Sequence, residues 1–314
     1  METVSCSLCH GTTTEVVFDN LPDLLFNRRD VSTRIVRCDQ CGLIFQNPRP
    51  TPNEMGMHYP PEYELYEPVI ENKATSSLLR LAYNYGMWKR SHYITRFKKG
   101  GKLLDIGCAS GTFLNAIRSY GPWDLYGVEL SDYAARIAQE QFHLNVFSGS
   151  LEQSNYPDQS FYVVTLWDVL EHLHDPVKSL HEINRILKDD GLLVLRSPNG
   201  DCWDAKLFGQ YWAGLDSPRH LYVFTPTTLS KVLDESGFQI NHQDTLSGGY
   251  PTFLLSLKFW FSDRPGSDKT KNIILAILHH PIARILTVPI FYLIGFLGKG
   301  PALAISAIKH TDSL

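Results

Sequence analysis

Four of the six cysteines carry the plainest chemistry in the chain: Cys6, Cys9, Cys38 and Cys41 form two C-x-x-C pairs separated by 28 residues. Each pair can turn two thiolates toward one point, and four thiolates complete a closed tetrahedral zinc site. With sulfur at every position no place is left for water or substrate, so the expected role is structural. Two β-prone stretches, Glu15 to Phe18 and Arg34 to Arg37, lie between the pairs, and GLIFQ follows the second. That is the layout of a zinc ribbon, a module small enough to need such a staple. Two other readings of the thiols stay open. Cys6-Ser-Leu-Cys9-His10 also has the C-x-x-C-H form of haem attachment, which leaves the second pair unexplained, and the four thiols could simply be buried or redox-active.

A second set of residues follows a buried strand. Gly101 to Leu114 reads as strand, small-residue turn from Gly107 to Gly111, then helix. A turn of this kind brings backbone N–H groups close to a ligand. It departs from the nicotinamide fingerprint, because Asp105 stands two residues before Gly107 and Ala109 takes the middle place. The next strand, DLYGVE, ends in Glu129, 24 residues after Asp105, where a carboxylate can take both ribose hydroxyls of a nucleoside. Further along, Asp168-Val-Leu-Glu171-His172 follows the apolar strand FYVVTLW, and Arg219-His220 lies in SPRHLYVF. A histidine near a strand's carboxyl end suits general-base work, although either histidine could equally shape its loop by hydrogen bonding.

The elements that position these residues alternate. After a Pro- and Tyr-rich passage, NPRPTPNEMGMHYPPEYELYEP, expected as a linker or clasp, residues 76–97 have near-helical apolar spacing. Strands and helices then alternate through LLVLRS, which specifies a parallel sheet covered on both faces. FQINHQDTL and ALAISAI read as two closing strands, and the roughly 50 residues between them as a helical insertion.

Composition sets the outer bounds. The 314 residues are 43% hydrophobic and 20% charged, which places the chain in the globular range. A net charge of -4 gives no overall reason to bind nucleic acid. The sign reverses along the chain: from Pro251 onward seven Lys or Arg face three Asp, a net of +4 that leaves -8 for the first 250 residues. The apolar runs TFLLSLKFWF, NIILAIL and ILTVPIFYLIGFLG are flanked by basic residues and fall short of the roughly 20 residues a bilayer span needs. Peripheral membrane contact through 251–299, a lid over the active site and a homodimer interface are the readings of that surface. The first residues show neither a basic n-region nor an apolar run, so the expected location is cytoplasmic, peripheral at the inner face of the membrane if the insertion meets lipid.

From about Lys102 to Gly249 the chain resembles a class I S-adenosylmethionine-dependent methyltransferase, through LLDIGCASGTFL, GVELS and TLWDVLEHLHDPVKSLHEINRILKDDGLLVLRSPN in that order. It is similar in particular to the bacterial small-molecule branch with an N-terminal four-cysteine ribbon, and to ubiquinone-biosynthesis-type O-methyltransferases. The resemblance implies an α/β, doubly wound (Rossmann-like) seven-stranded sheet, with the ribbon over residues 1–48, a linker and N-terminal helices over 49–99, and the methyltransferase domain over 100–314. The insertion, 250–299, precedes the last strand. S-adenosylmethionine is the implied donor. Asp105, Gly107, Cys108, Ala109 and Gly111 would surround its methionine portion, Glu129 would take the ribose and Leu130 would pack on adenine. Ser150 and Leu151 stand where many relatives carry an adenine-binding Asp, and Trp167 would lie beside the cofactor. His172 and His220 are the catalytic candidates, and Asp168, Glu171 and His172 could hold a divalent ion as in the quinone enzymes. Trp203, Tyr211, Trp212 and Arg219 could face the substrate. The expected reaction is methyl transfer, at oxygen before nitrogen or carbon, to a small-molecule or lipid-linked acceptor. A nucleotide-linked or glycan sugar is the alternative acceptor. A cofactor-binding scaffold without turnover is the alternative class, motivated by Ala109, Ser150 and Tyr162.

Overall fold

The computed structural model describes residues 1–59, 77–245 and 249–310; the part of the Pro- and Tyr-rich passage beyond Tyr59 lies outside them. The chain opens with β1 (Thr14–Asp23), β2 (Arg28–Cys38) and β3 (Ile44–Gln46), an antiparallel ribbon at the sites where β-branched and aromatic residues cluster. The turn into β3 passes through Gly42 at φ 81, a left-handed conformation that glycine adopts without a Cβ penalty. A short helix α1 (Pro52–Met55) and the long α2 (Ser77–Thr95) lead into the sheet.

Alternation then builds the main body: β4 (Gly101–Ile106), α3 (Thr112–Ile117), β5 (Trp123–Glu129), α4 (Asp132–Phe142), β6 (Asn145–Ser148), β7 (Phe161–Trp167), α5 (Pro176–Ile186) and β8 (Leu187–Pro198). Helix starts follow local chemistry. The Ser131 hydroxyl accepts from the Ala134 amide ahead of α4, and Asp175 caps α5, whose first residue is Pro176. Next come α6 (Trp203–Phe208), β9 (Tyr222–Val223), α7 (Pro226–Glu235), β10 (Phe238–Asp244), α8 (Gly249–Ser262), α9 (Asp268–His279), α10 (Pro281–Phe296) and β11 (Ala302–Lys309).

The seven-stranded sheet runs β10-β11-β8-β7-β4-β5-β6, parallel except for β11, which is antiparallel to both β8 and β10. The chain winds outward through β5 and β6 on one side of β4 and through β8 on the other. The point where winding reverses, between β4 and β7, opens a crevice at the strands' carboxyl ends. The insertion occupies the connection between β10 and β11, as its apolar helical runs imply.

The ribbon is not a detached satellite. β9, from the loop after α6, adds to β3 as the fourth strand of the ribbon sheet. One apolar core then runs from Cys6, Val36 and Phe45 of the ribbon through Phe224 to Leu166 and Leu195 of the main sheet. A buried ion pair spans the same junction: the Arg219 guanidinium, fully shielded from solvent, meets Asp23 at the end of β1. Helices α9 and α10 behave oppositely, burying Gly295 alone between them.

Candidate active site

The crevice is shaped by backbone first. Gly107 (φ 66), Ala109 (φ 46) and Gly111 (φ 76) all take left-handed conformations in the turn between β4 and α3. A Cβ on Gly107 would come within 2.6 Å of Val169 Cγ2, so only glycine lets the turn approach the loop after β7. Gly107, Glu129, Leu130, Ser150 and Leu151 line one cavity of about 110 Å3 together with Val169 and Leu173. Leu130 is 74% exposed, an apolar side chain left open beside that cavity. Glu129 accepts from the Ala109 and Ser131 amides, each at 2.8 Å, which fixes its carboxylate while leaving lone pairs for a ligand. Burial pushes its pKa above the ordinary range.

Asp105 sits beneath the turn, accepting from Thr165 Oγ1 at 2.6 Å, and burial pushes its carboxyl up to about 7. Cys108 does not face the crevice: its side chain packs in the core, where a Cβ on Gly127 would meet its Sγ at 2.6 Å. Trp167 packs edge-on against Phe113, and the Arg90 guanidinium lies over its ring, 5.1 Å from the centroid. Arg90, on α2, also stands 3.8 Å from Asp168, and its pKa falls to about 10 because it is buried and close to Arg196. No sequence signal pointed to Arg90, since it lies outside every recognisable motif. Its contacts with Trp167 and Asp168 are visible only once α2 is laid over β7.

Beyond β7 the structure corrects the expected metal set. Asp168 is taken by Arg196, which donates from both Nε and Nη2, and this ion pair together with Arg90 holds its pKa below the ordinary range despite burial. The group that does converge is Glu171, His172 and His220, whose ligand atoms lie within 4.8 Å of one another. Glu171 is fully buried, neither of its oxygens has a hydrogen-bond partner, and burial with Asp168 nearby raises its pKa to about 8.

The two histidine rings meet edge to face at 4.6 Å. His172 Nδ1 contacts the Tyr59 hydroxyl at 2.9 Å and the Arg219 carbonyl at 3.1 Å, and burial and then His220 push its pKa down to about 3. His220 Nδ1 meets the Gly214 carbonyl at 2.9 Å, which makes Nδ1 the protonated nitrogen and leaves Nε2 as the acceptor, 3.9 Å from Asp216 Oδ2. Asp216 was not singled out by sequence; the i, i+4 spacing to His220 is a signal that could have found it.

A larger cavity, about 320 Å3, opens between the β1–β2 hairpin, Gln210, Tyr211 and Asp263. A narrow crevice lined by Leu21, Trp212, Asp216 and Ser217 adjoins it. Of the aromatics expected to face the substrate, Tyr211 and Trp212 line these spaces, whereas Trp203 stacks on Phe253 of α8. Arg219 faces no open space: it is clamped by Asp23 and Asp216.

At the ribbon the cysteine sulfurs pair at 3.4 Å, Cys6 with Cys41 and Cys9 with Cys38, and all four lie within 4.8 Å of one another. Tetrahedral zinc with bonds of about 2.3 Å needs sulfurs about 3.8 Å apart, whereas a disulfide needs about 2.05 Å. The cluster fits a zinc ion, and all six cysteines are free of disulfides. Against the upward push of burial, backbone amides of Cys41 and Gln40 lower the Cys38 pKa to about 7, whereas burial raises those of Cys6 and Cys41.

The doubly wound sheet, its glycine turn at the winding reversal and the acid at the end of β5 define a class I S-adenosylmethionine-dependent methyltransferase fold. The methyltransferase domain family matches residues 80–243, more than half of the chain, and the chain belongs to that family. It is 33% identical over 120 residues to an uncharacterised methyltransferase of Schizosaccharomyces pombe, covering 34% of this chain and 43% of that protein. It is 27% identical over 106 residues to the ubiquinone biosynthesis O-methyltransferase of Coxiella burnetii, covering 32% and 45%. The matched segment thus spans under half the length of these curated relatives. Among solved structures the cyclase SpnF superposes with a TM-score of 0.53 at 18% identity, covering 83% of this chain and 97% of that one. That likeness is one of fold.

Proposed function

We propose that the protein transfers a methyl group from S-adenosylmethionine to an oxygen of a small-molecule or lipid-linked acceptor, with His220 as the general base. The donor supplies an electrophilic methyl on sulfonium; the protein has to align the acceptor and exclude water. Glu129 holds the ribose, Leu130 and Leu151 flank the adenine, and the Gly107 turn receives the methionine portion over Asp105. Arg90 provides the cation for the donor's carboxylate.

The Asp216–His220 pair is the observation that carries the base assignment. With its Nδ1 hydrogen on the Gly214 carbonyl, His220 presents Nε2 to a hydroxyl, and the Asp216 carboxylate stabilises the imidazolium that forms. His172, held neutral at about 3 and tied to Tyr59 and Arg219, positions this pair rather than taking the proton. A second reading rests on the two unpartnered oxygens of Glu171: a divalent ion on Glu171, His172 and His220 would lower the acceptor's pKa in place of a base.

The test incubates the protein with methyl-labelled donor and with soluble and lipid extracts. Label in the lipid fraction, lost about 100- to 10,000-fold in His220→Gln and insensitive to chelator, is the expected result. Label only on a soluble sugar would replace the acceptor, loss of turnover on chelation with the ribbon zinc retained would replace the base with the metal, and donor binding without label from any extract would mean a scaffold.

A further inference from the structure

Half of the large apolar side chains that the described residues leave exposed fall in one short stretch, from Ile273 to Leu297. α9 buries none of its residues, and α10 buries only Gly295. α10 meets the body along a single stripe, Ala283, Thr287, Phe291 and Ile294, where Phe291 packs on Trp203, Tyr250 and Phe253. The large apolar side chains on the rest of its circumference, Ile285, Leu286, Leu293 and Phe296 among them, are 55–74% exposed. Water does not tolerate a patch of this kind without a partner.

We propose that α9 and α10 form a re-entrant hairpin that dips into the surface of an anionic bilayer and leaves by the same side. Three observations select lipid over a second copy of the chain. A protein partner covers one face of a helix, whereas α10 is apolar nearly all round, which suits a medium that surrounds it. The helices have 12 and 16 residues and are bent by 71° at the break between them, and no single helix among the described residues is long and apolar enough to cross. Finally, the hairpin's ends and break are basic. Within the two helices Lys269, Lys271 and Arg284 face a single acid, Asp268, while the first 250 residues carry a net of -8. Lys269 and Arg284 make no ion pair among the described residues, so their charge is available to phosphate headgroups.

The hairpin is joined to the site through α8, which packs beside the turn of residues 213–215 whose Gly214 carbonyl holds His220. The proposal does not depend on the acceptor, because binding is read without turnover. Flotation of the full-length protein is measured with vesicles of phosphatidylcholine alone and of phosphatidylcholine with phosphatidylglycerol, beside sedimentation without lipid. The expected result is at least about tenfold tighter binding to the anionic vesicles, weakened by salt. The exposed-charge variant Lys269→Glu/Arg284→Glu should lose that preference, and Leu286→Glu/Phe296→Glu should lose flotation while retaining donor binding. Should the apolar variant fail to fold, the charge variant decides alone, since both its sites are exposed. Equal binding of wild type and charge variant to both vesicle types overturns the proposal. So does a stable dimer without lipid that does not float.

Discussion

Asp23→Asn is the sharpest test of the junction between ribbon and site. The Asp23 carboxylate accepts from Arg219 Nη1 and Nη2, both at 2.9 Å, and both side chains are wholly shielded from solvent. It also faces Arg28 Nε at 3.3 Å. Removing one partner of a buried ion pair costs about 3–5 kcal/mol, because the other charge is left without compensation. Here Arg219 keeps Asp216 at 2.7 Å and the His58 carbonyl at 3.3 Å, so the lower end applies, about 3 kcal/mol. The loss is read as a shift in the urea midpoint at constant slope. Activity should fall too, because the Arg219 carbonyl holds His172. The double variant Asp23→Leu/Arg219→Met should recover much of the stability, since an apolar pair carries no buried charge. A loss below about 1 kcal/mol in Asp23→Asn would refute the claim that this pair clamps the ribbon to the site.

Three further outcomes follow from the same geometry. Glu129→Ala removes a carboxylate fixed by two amides and should weaken donor binding by about 10- to 100-fold in calorimetry, with little change in fold. Metal analysis should find one zinc per chain; Cys38→Ser should lower that content, and with it thermal stability, since β9 from the loop after α6 completes the ribbon sheet. Asp105 has a folded pKa of about 7, raised by burial from 3.8. The native state therefore keeps a proton that the unfolded chain has released, so its contribution is greatest below 3.8 and is lost as pH rises to about 7. Asp105→Asn should flatten that decline in pH-dependent denaturation, and an unchanged slope would contradict it.

Although α6, β9 and α7 were not, the alternation from β4 to β8, the two closing strands, the four-cysteine cluster and the Gly107 turn were legible in the chain. Each depends on neighbours close in sequence or on spacing that a single element enforces. Ser131 and Asp175 cap their helices for the same reason. Cys108 shows the limit: adjacent in sequence to Gly107, which lines the crevice, it turns its own side chain into the core.

What the sequence by itself determined was the kind of protein: a four-cysteine ribbon on a doubly wound methyltransferase sheet, with an apolar insertion before the last strand. Tertiary structure alone decided which charges meet. Asp168 went to Arg196, 28 residues away, and not to a metal; Arg219 went to Asp23 across 196 residues and not to a substrate; Arg90 reached Trp167 from a helix outside every motif. Burial makes an unpaired charge costly, so Asp168 and Arg219 are each held by the counter-charge that the fold brings to them, and separation along the chain carries no record of that choice.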